Sequence, residues 1–221
     1  MSITSNLENV RKKIPKEVTL VAVSKTKPIE DIKEAYEQGV RDFGENKVQE
    51  LMDKYDKVGK GIRWHLIGHL QVNKVKYIVG KVFLIHSLDS VKLLKEIEKR
   101  YSKANLTADV LIEINIGREE NKTGILEEDL NELLEECQKC NNVKVKGLMA
   151  VIPIGDEDSN RNYFRKMKSI FENLKNRNFE NIEMKYLSMG MTHDYEVAIS
   201  EGANIVRVGE GIFGKRNYNK I

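Results

Sequence analysis

The sequence predicts a (β/α)₈ barrel of the TIM type, formed by one domain over residues 1–221. Two observations carry that expectation. Short β-rich runs alternate with amphipathic helical runs from one end of the chain to the other, and parallel strands need helical crossovers of this kind. The β–α units come to about eight, the number that closes a barrel, with no stretch left over for another domain. An open doubly wound sheet is the competing fold.

The units follow one another without a linker, low-complexity tract or exact repeat. An opening helix precedes the buried-strand run Val18–Ser24, and the helix Pro28–Gln38 follows. Pro28 suits a first turn, where its missing N–H costs nothing, and Gly39 stands where a C-cap belongs. A brief strand at Arg41–Phe43 leads into a helix over Lys47–Lys57. Arg63–Ile67 is strand-like and Val72–Val79 helical, and Val82–His86 is a strand before the strongly periodic helix Ser90–Tyr101. Ala108–Ile116 is the longest strand candidate, with Glu127–Gln138 as its helix. Val143–Val151 leads to the long helix Ser159–Asn176, Met184–Ser188 to a helix over His193–Glu201, and Asn204–Val208 to the C-terminal segment.

Composition excludes several classes of function. The net charge is +3, from 37 Lys and Arg against 34 Asp and Glu, and the basic residues form no long block; no nucleic-acid footprint is expected. The Lys-rich stretch from Lys92 to Lys103 alternates with Glu and apolar residues, as a solvated helix face does. Cys137 and Cys140 end a helical run without a second Cys/His pair, so two reduced helix cysteines are expected rather than a redox or zinc motif. The N-terminal MSITSNLENVRKKIPKE lacks the apolar core of a secretory signal, and the longest apolar runs fall well short of the roughly 20 residues a membrane span needs. A soluble, cytoplasmic protein with no membrane partner follows, and its polar helix faces make a monomer the default.

In such a barrel the chemistry sits at the C-terminal ends of the strands. The first strand ends in Ser24-Lys25-Thr26-Lys27-Pro28. Lys25 projects at the barrel mouth, where partial desolvation lowers an amine's pKa and frees its lone pair for imine formation; a snorkelling strand-end lysine fits the same residues. Spacing does not separate Lys25 from Lys27. After the seventh strand, Ser188-Met189-Gly190-Met191-Thr192-His193-Asp194 offers hydroxyls, a glycine and the N-terminus of the next helix. That turn is either a phosphate cradle or a cap with Thr192 at N-cap and Asp194 in the first turn. After the eighth, Arg207 is flanked by apolar residues, an expensive place for a charge. Alternation puts Ile205, Arg207 and Gly209 on one face, the one expected to line the barrel interior, and Gly209 and Gly211 let backbone approach a ligand. Phosphate sites in these barrels often use the loops after strands seven and eight, where both glycine-bearing turns fall. Asn46, after the second strand, serves a ligand or caps the next helix. His65, His69, His86 and His193 read as individually satisfied histidines, too few for a metal site.

These residues belong to longer blocks: AVSKTKP (Ala22–Pro28), FGENKVQE (Phe43–Glu50), WHLIGHLQVNK (Trp64–Lys74), KTGI (Lys122–Ile125), GLMAV (Gly147–Val151), LSMGMTHD (Leu187–Asp194) and VRVGEGIFG (Val206–Gly214). In this order, over nearly the whole chain, they resemble the pyridoxal phosphate homeostasis protein family. The resemblance implies the barrel of the alanine racemase N-terminal domain, the fold-type III scaffold, with pyridoxal 5′-phosphate as cofactor. By the same resemblance Lys25 is the Schiff-base lysine. Ser188, Gly190, Met191 and Thr192 in one turn and Gly209 and Gly211 in the other hold the phosphate, Arg207 faces the pyridine nitrogen, and Asn46 lies near the ring. Two departures stand out: Thr192 where many relatives carry Ser, and Glu210 where many carry Ser or Thr. Glu210 is expected to turn outward and contribute only its backbone N–H.

A carrier is expected rather than a turnover enzyme. A guanidinium only donates, so a nitrogen facing Arg207 stays unprotonated and is a poorer electron sink. Alanine racemase draws its second acid/base, a tyrosine, from a further domain, for which this chain is expected to have no room. The function implied is to buffer or deliver pyridoxal phosphate, with pyridoxal-phosphate-dependent apoenzymes as recipients. The alternatives are a small amino-acid racemase or weak lyase using Lys25 alone, and a barrel for another phosphorylated metabolite with Lys25 only a counter-charge.

Overall fold

The computed structural model describes residues 2–215; Met1 and residues 216–221, inside the expected 1–221 domain, lie outside the described residues. Eight parallel strands close in chain order into a barrel: β1 Thr19–Val23, β2 Asp42–Glu45, β3 Arg63–Leu66, β4 Leu84–Leu88, β5 Ala108–Glu113, β6 Val143–Met149, β7 Ile182–Ser188 and β8 Ile205–Val208. Closure is made by β1 on β8, with Val21 opposite Arg207 and Ala22 opposite Val208. The helices are α1 Ile3–Arg11, α2 Ile29–Glu37, α3 Val48–Lys54, α4 Val75–Ile78, α5 Val91–Lys103, α6 Leu130–Gln138, α7 Glu157–Lys175, α8 Tyr195–Ser200 and α9 Glu210–Phe213.

β1, β5 and β8 read as largely apolar runs because both faces are buried, as expected of a parallel sheet, whereas β6 and β7 carry exposed Lys and Glu in their first halves. One face feeds a small inner cluster of Val21, Leu84, Leu111, Met149 and Ile205. The other packs against the helices in a much larger shell that includes Ala22, Val110, Leu148, Val206 and Val208. Helix periodicity supplies the rest. In α5, Leu93, Leu94, Ile97 and Tyr101 are buried, and the Ser90 hydroxyl caps the start by accepting from the Leu93 N–H. Asp156 caps α7 in the same way through Ser159 N–H.

Several boundaries differ from the sequence reading, each for a local reason. Pro28 is the N-cap of α2 rather than its first turn, while Gly39 follows the C-cap at φ +83° as foreseen. The span 72–79 splits into a 3₁₀ turn, Val72–Lys74, and the single turn α4, and Glu127–Asp129 is likewise 3₁₀ before α6. Thr192 does not cap the eighth helix. That helix begins at Tyr195 with Asp194 at its N-cap, and the Thr192 hydroxyl instead accepts from Gly211 N–H at 3.3 Å. Cys137 and Cys140 are free thiols, and burial pushes them up to about 12 and about 11, so neither is a reactive thiolate. Among the described residues no His/Cys/Asp/Glu cluster suits a metal ion, and no helix is long and apolar enough to cross a membrane.

Candidate functional site

The inner cluster fixes what points into the barrel mouth, because side chains on one strand face recur every second residue. From Val21 the interior face runs through Val23 to Lys25; from Leu84 to His86; from Leu111 to Glu113; from Met149 to Val151; and from Ile205 through Arg207 to Gly209. The outermost of these residues meet in one cavity of about 840 Å³ at the C-terminal ends of the strands, lined by Val23, Lys25, Glu113, Val151, Arg207 and Gly209. Asn46, Met191 and Thr192 also line it. Lys25 lies in the turn after β1 and is half-buried.

Arg207 is 3% exposed and held by both arms of its fork. One donates to the Ser188 hydroxyl at 2.6 Å and the other to the Ala150 carbonyl at 2.8 Å. Burial lowers its pKa to about 10, opposed by the carboxylates of Glu113 and Asp194, so the guanidinium remains charged at neutral pH. Three of its five N–H groups are left for other partners.

Behind Arg207 a buried polar chain crosses the barrel. Arg63 and His65 Nε2 both reach the Asp42 carboxylate, the latter at 3.0 Å. His65 Nδ1 meets His86 Nε2 at 2.9 Å, and His86 Nδ1 meets Ser188 Oγ at 3.0 Å. A carboxylate only accepts, so His65 must donate from Nε2, and with that ring neutral its Nδ1 accepts from His86. By the same step His86 Nδ1 accepts from the Ser188 hydroxyl, which in turn accepts from Arg207. Desolvation lowers both histidines, His86 well below the ordinary range, in keeping with two neutral rings; Asp42 is held low by hydrogen bonds from His65 and Arg63 against the cost of its burial.

The buried chain changes how Ser188 stands, and local packing bears on the other residues of the two turns. The Ser188 hydroxyl is turned into the barrel, fully buried between His86 and Arg207, and is not part of the cavity wall. Gly190 sits at φ +92°, and a Cβ there would lie 2.6 Å from that of Ala198, so the close passage of α8 already demands glycine. Gly211 spends its N–H on Thr192, and Met191 N–H donates to Asp194 at 2.5 Å. Gly209 is different: it lines the cavity, and a Cβ would crowd Val23, with its carbonyl at 3.2 Å. Glu210 is exposed at the cavity's edge. Lys27, inseparable from Lys25 by spacing, is set apart by its contacts: its ammonium donates to the carbonyls of Phe213 at 2.7 Å and Gly214 at 3.1 Å, closing the end of α9.

Sequence reading missed Glu113, Lys122, Thr123, His69 and His193 on the cavity wall. Glu113 is 5% exposed; one oxygen accepts from the Thr123 hydroxyl at 2.7 Å, while the other has no hydrogen-bond partner among the described residues. Burial raises its pKa. The signal was available, since Glu113 stands two residues beyond an inward Leu111. Lysines 25, 27, 122 and 215 with Arg207 outnumber Glu113 and Glu210 on the wall, which favours an anionic guest. The arrangement offers an amine, an oriented guanidinium on the same wall, and a cation-rich rim.

A model of the alanine racemase N-terminal domain matches residues 1–217. A pyridoxal phosphate homeostasis protein of Aquifex aeolicus is 49% identical over 201 residues, covering 90% of this chain and 87% of that protein. One of Escherichia coli is 38% identical over 234 residues, covering 99% and 98%. The structure of PipY from Synechococcus elongatus PCC7942 with pyridoxal phosphate bound superposes with a TM-score of 0.89 at 31% identity, over 96% of this chain and all of that one.

Proposed function

Because the chain belongs to the pyridoxal phosphate homeostasis protein family, we propose that it binds pyridoxal 5′-phosphate on Lys25 and serves to buffer or deliver it, acting as a carrier rather than a turnover enzyme. The observation that carries this is the meeting of Lys25 and a fork-held Arg207 on the wall of one cation-rich cavity. The residues fit the group. Lys25 would supply the attachment amine, Arg207 its remaining N–H donors toward the ring nitrogen, and Asn46 a polar side chain beside the ring. Gly209 leaves room where a Cβ would intrude, and the turns of Gly190–Thr192 and Gly209–Gly211 would hold the phosphate, with Ser188 acting through Arg207.

When bound, the cofactor supplies an electrophilic aldehyde carbon and an electron-withdrawing ring. Arg207 presents that ring with donors alone and is itself fixed by Ser188, so the residues here favour holding over carbanion chemistry. Recipients would be apoenzymes that need the cofactor, and the protein would work as a cytoplasmic monomer of one domain.

Purified protein should carry the yellow colour of a pyridoxal Schiff base, and borohydride should fix the cofactor to Lys25. A Lys25→Ala variant that keeps both the colour and the covalent adduct would overturn the assignment. The racemase or lyase alternative is tested with L-alanine or L-serine in deuterium oxide; rapid α-deuterium incorporation with racemisation would replace the carrier reading.

A further inference from the structure

Lys25 sits between two residues that are tied, from outside the cavity, to one buried ionic cluster. On one side the Ser24 hydroxyl, fully buried, donates to Glu45 Oε1 at 2.6 Å. On the other, the Thr26 N–H donates to Glu50 Oε1 at 2.5 Å. Lys54 joins the two halves: its Nζ reaches the Ser24 carbonyl at 2.9 Å, Glu45 Oε1 at 2.9 Å and Glu50 Oε1 at 2.6 Å. An ammonium has three N–H donors, and here each has an acceptor. Lys54 is 5% exposed and Glu45 fully buried. Charges so deeply placed add little net stability even when fully paired.

The backbone beside the cluster is unusual. Thr26 has φ +64°, a left-handed conformation that a β-branched residue avoids. Such outliers persist only where their surroundings over-determine them. The turn is closed by the Lys27 N–H donating to the Ser24 carbonyl at 3.1 Å, the Glu50 carboxylate on the Thr26 amide is the side-chain restraint added to it, and the Thr26 conformation sets the direction in which the chain leaves Lys25.

We propose that Glu50 and Lys54 are positioning residues for Lys25: they clamp Thr26 in its left-handed conformation so that the Lys25 amine is presented to the cavity ready to react with an aldehyde. This rests on the reading of Lys25 as the attachment lysine. In that step Lys25 Nζ forms a C=N bond to the aldehyde carbon and the aldehyde oxygen leaves as water. The clamp touches neither the cofactor nor its phosphate. It acts through the Lys25 turn alone.

The test uses full-length protein and two probes: pyridoxal 5′-phosphate, and pyridoxine 5′-phosphate, whose alcohol cannot form the C=N bond. Glu50→Met, which removes the oxygen acceptor that Gln would keep, should lower the apparent affinity for the aldehyde probe, read by absorption and by borohydride trapping, by about tenfold, the usual cost of an L-residue in that conformation. Affinity for pyridoxine phosphate should be unchanged. Thr26→Gly should rescue: glycine adopts positive φ freely, so the Thr26→Gly/Glu50→Met double variant should trap within about twofold of Thr26→Gly alone, the additivity error expected once coupling is lost. Melting curves keep folding in view, and Glu50→Met leaves Lys54 paired with Glu45, whereas Lys54 variants strand a buried carboxylate. The inference fails if Glu50→Met traps as well as the parent, if both probes weaken together, or if glycine does not rescue. Trapping that survives Lys25→Ala would instead fault the attachment lysine itself.

Discussion

The two sides of the cavity are both held by buried polar chains, yet they are made of different materials. On the β1–β2 side, around Lys25, the chain is ionic: Glu45, Lys54 and Glu50. On the β7–β8 side, around Arg207, two neutral imidazoles and a hydroxyl lead away to Asp42. An ionic cluster tolerates no missing member, because removing the cation leaves a carboxylate buried and uncompensated. A neutral chain loses only hydrogen bonds when it is cut. The first suits a strained turn that must not move; the second suits a cation that must be aimed without being discharged.

The difference can be broken or sharpened by measurement. The largest effect should come from Lys54→Met, which strands Glu45 and should cost about 3–5 kcal/mol in urea unfolding. His86→Leu should cost less, about 1–3 kcal/mol, since it orphans only His65 and Ser188. Equal losses would erase the contrast between the two sides. Acid should separate them next. His86 has a folded pKa well below the ordinary 6.5, so below that pH the unfolded chain binds the proton and the folded one does not; its stabilisation is full above 6.5 and falls on acidification. The limiting slope is about 1.4 kcal/mol per pH unit for one buried group, and His86→Leu should flatten the loss between neutral pH and pH 5. Glu45 runs the other way: its folded pKa is raised by burial, so it adds stability in acid that fades as pH rises through that value. Equal pH slopes in the parent and His86→Leu would mean His86 carries no such linkage. The smallest effect should be at the exposed rim, where Glu210→Gln should tighten phosphate-bearing ligands about twofold at low salt, a gain that added salt removes.

Much of the architecture is legible in the sequence because a parallel barrel buries both faces of much of its strands, so β1, β4, β5 and β8 are largely apolar runs, while β6 and β7 alternate with Lys and Glu in their first halves. Short-range geometry limited the boundaries. The span 72–79 carries helical periodicity, but a 3₁₀ turn satisfies the same spacing over three residues, and Thr192 looks like a cap until Gly211 claims its hydroxyl. Alternation from Ile205 placed Arg207 on the interior face, and the same rule applied from Leu111 would have found Glu113. Other features were out of reach of any local rule. His65 and His86 each look self-contained, and only the pairing of β3 with β4 brings His65 Nδ1 to 2.9 Å from His86 Nε2. Lys54 reads as the cation of an ordinary surface pair with Glu50, four residues earlier; its burial depends on how α3 packs beneath the Lys25 turn. Separating Lys25 from Lys27 needed the far end of the chain, where α9 takes the second lysine.

The hydrogen bonds behind Arg207 all point the same way, each donor facing toward Asp42. Such a seam has a polarity, like a row of dominoes already fallen. To send a proton up it, toward the cavity, every member would have to reverse, and Arg207 would have to become an acceptor, which a guanidinium cannot do. The barrel floor is therefore electrically connected to the cavity but closed to proton traffic from below. Protons exchanged with a guest in the cavity are left to the groups on its own wall, Lys25, Glu113, His69 and His193.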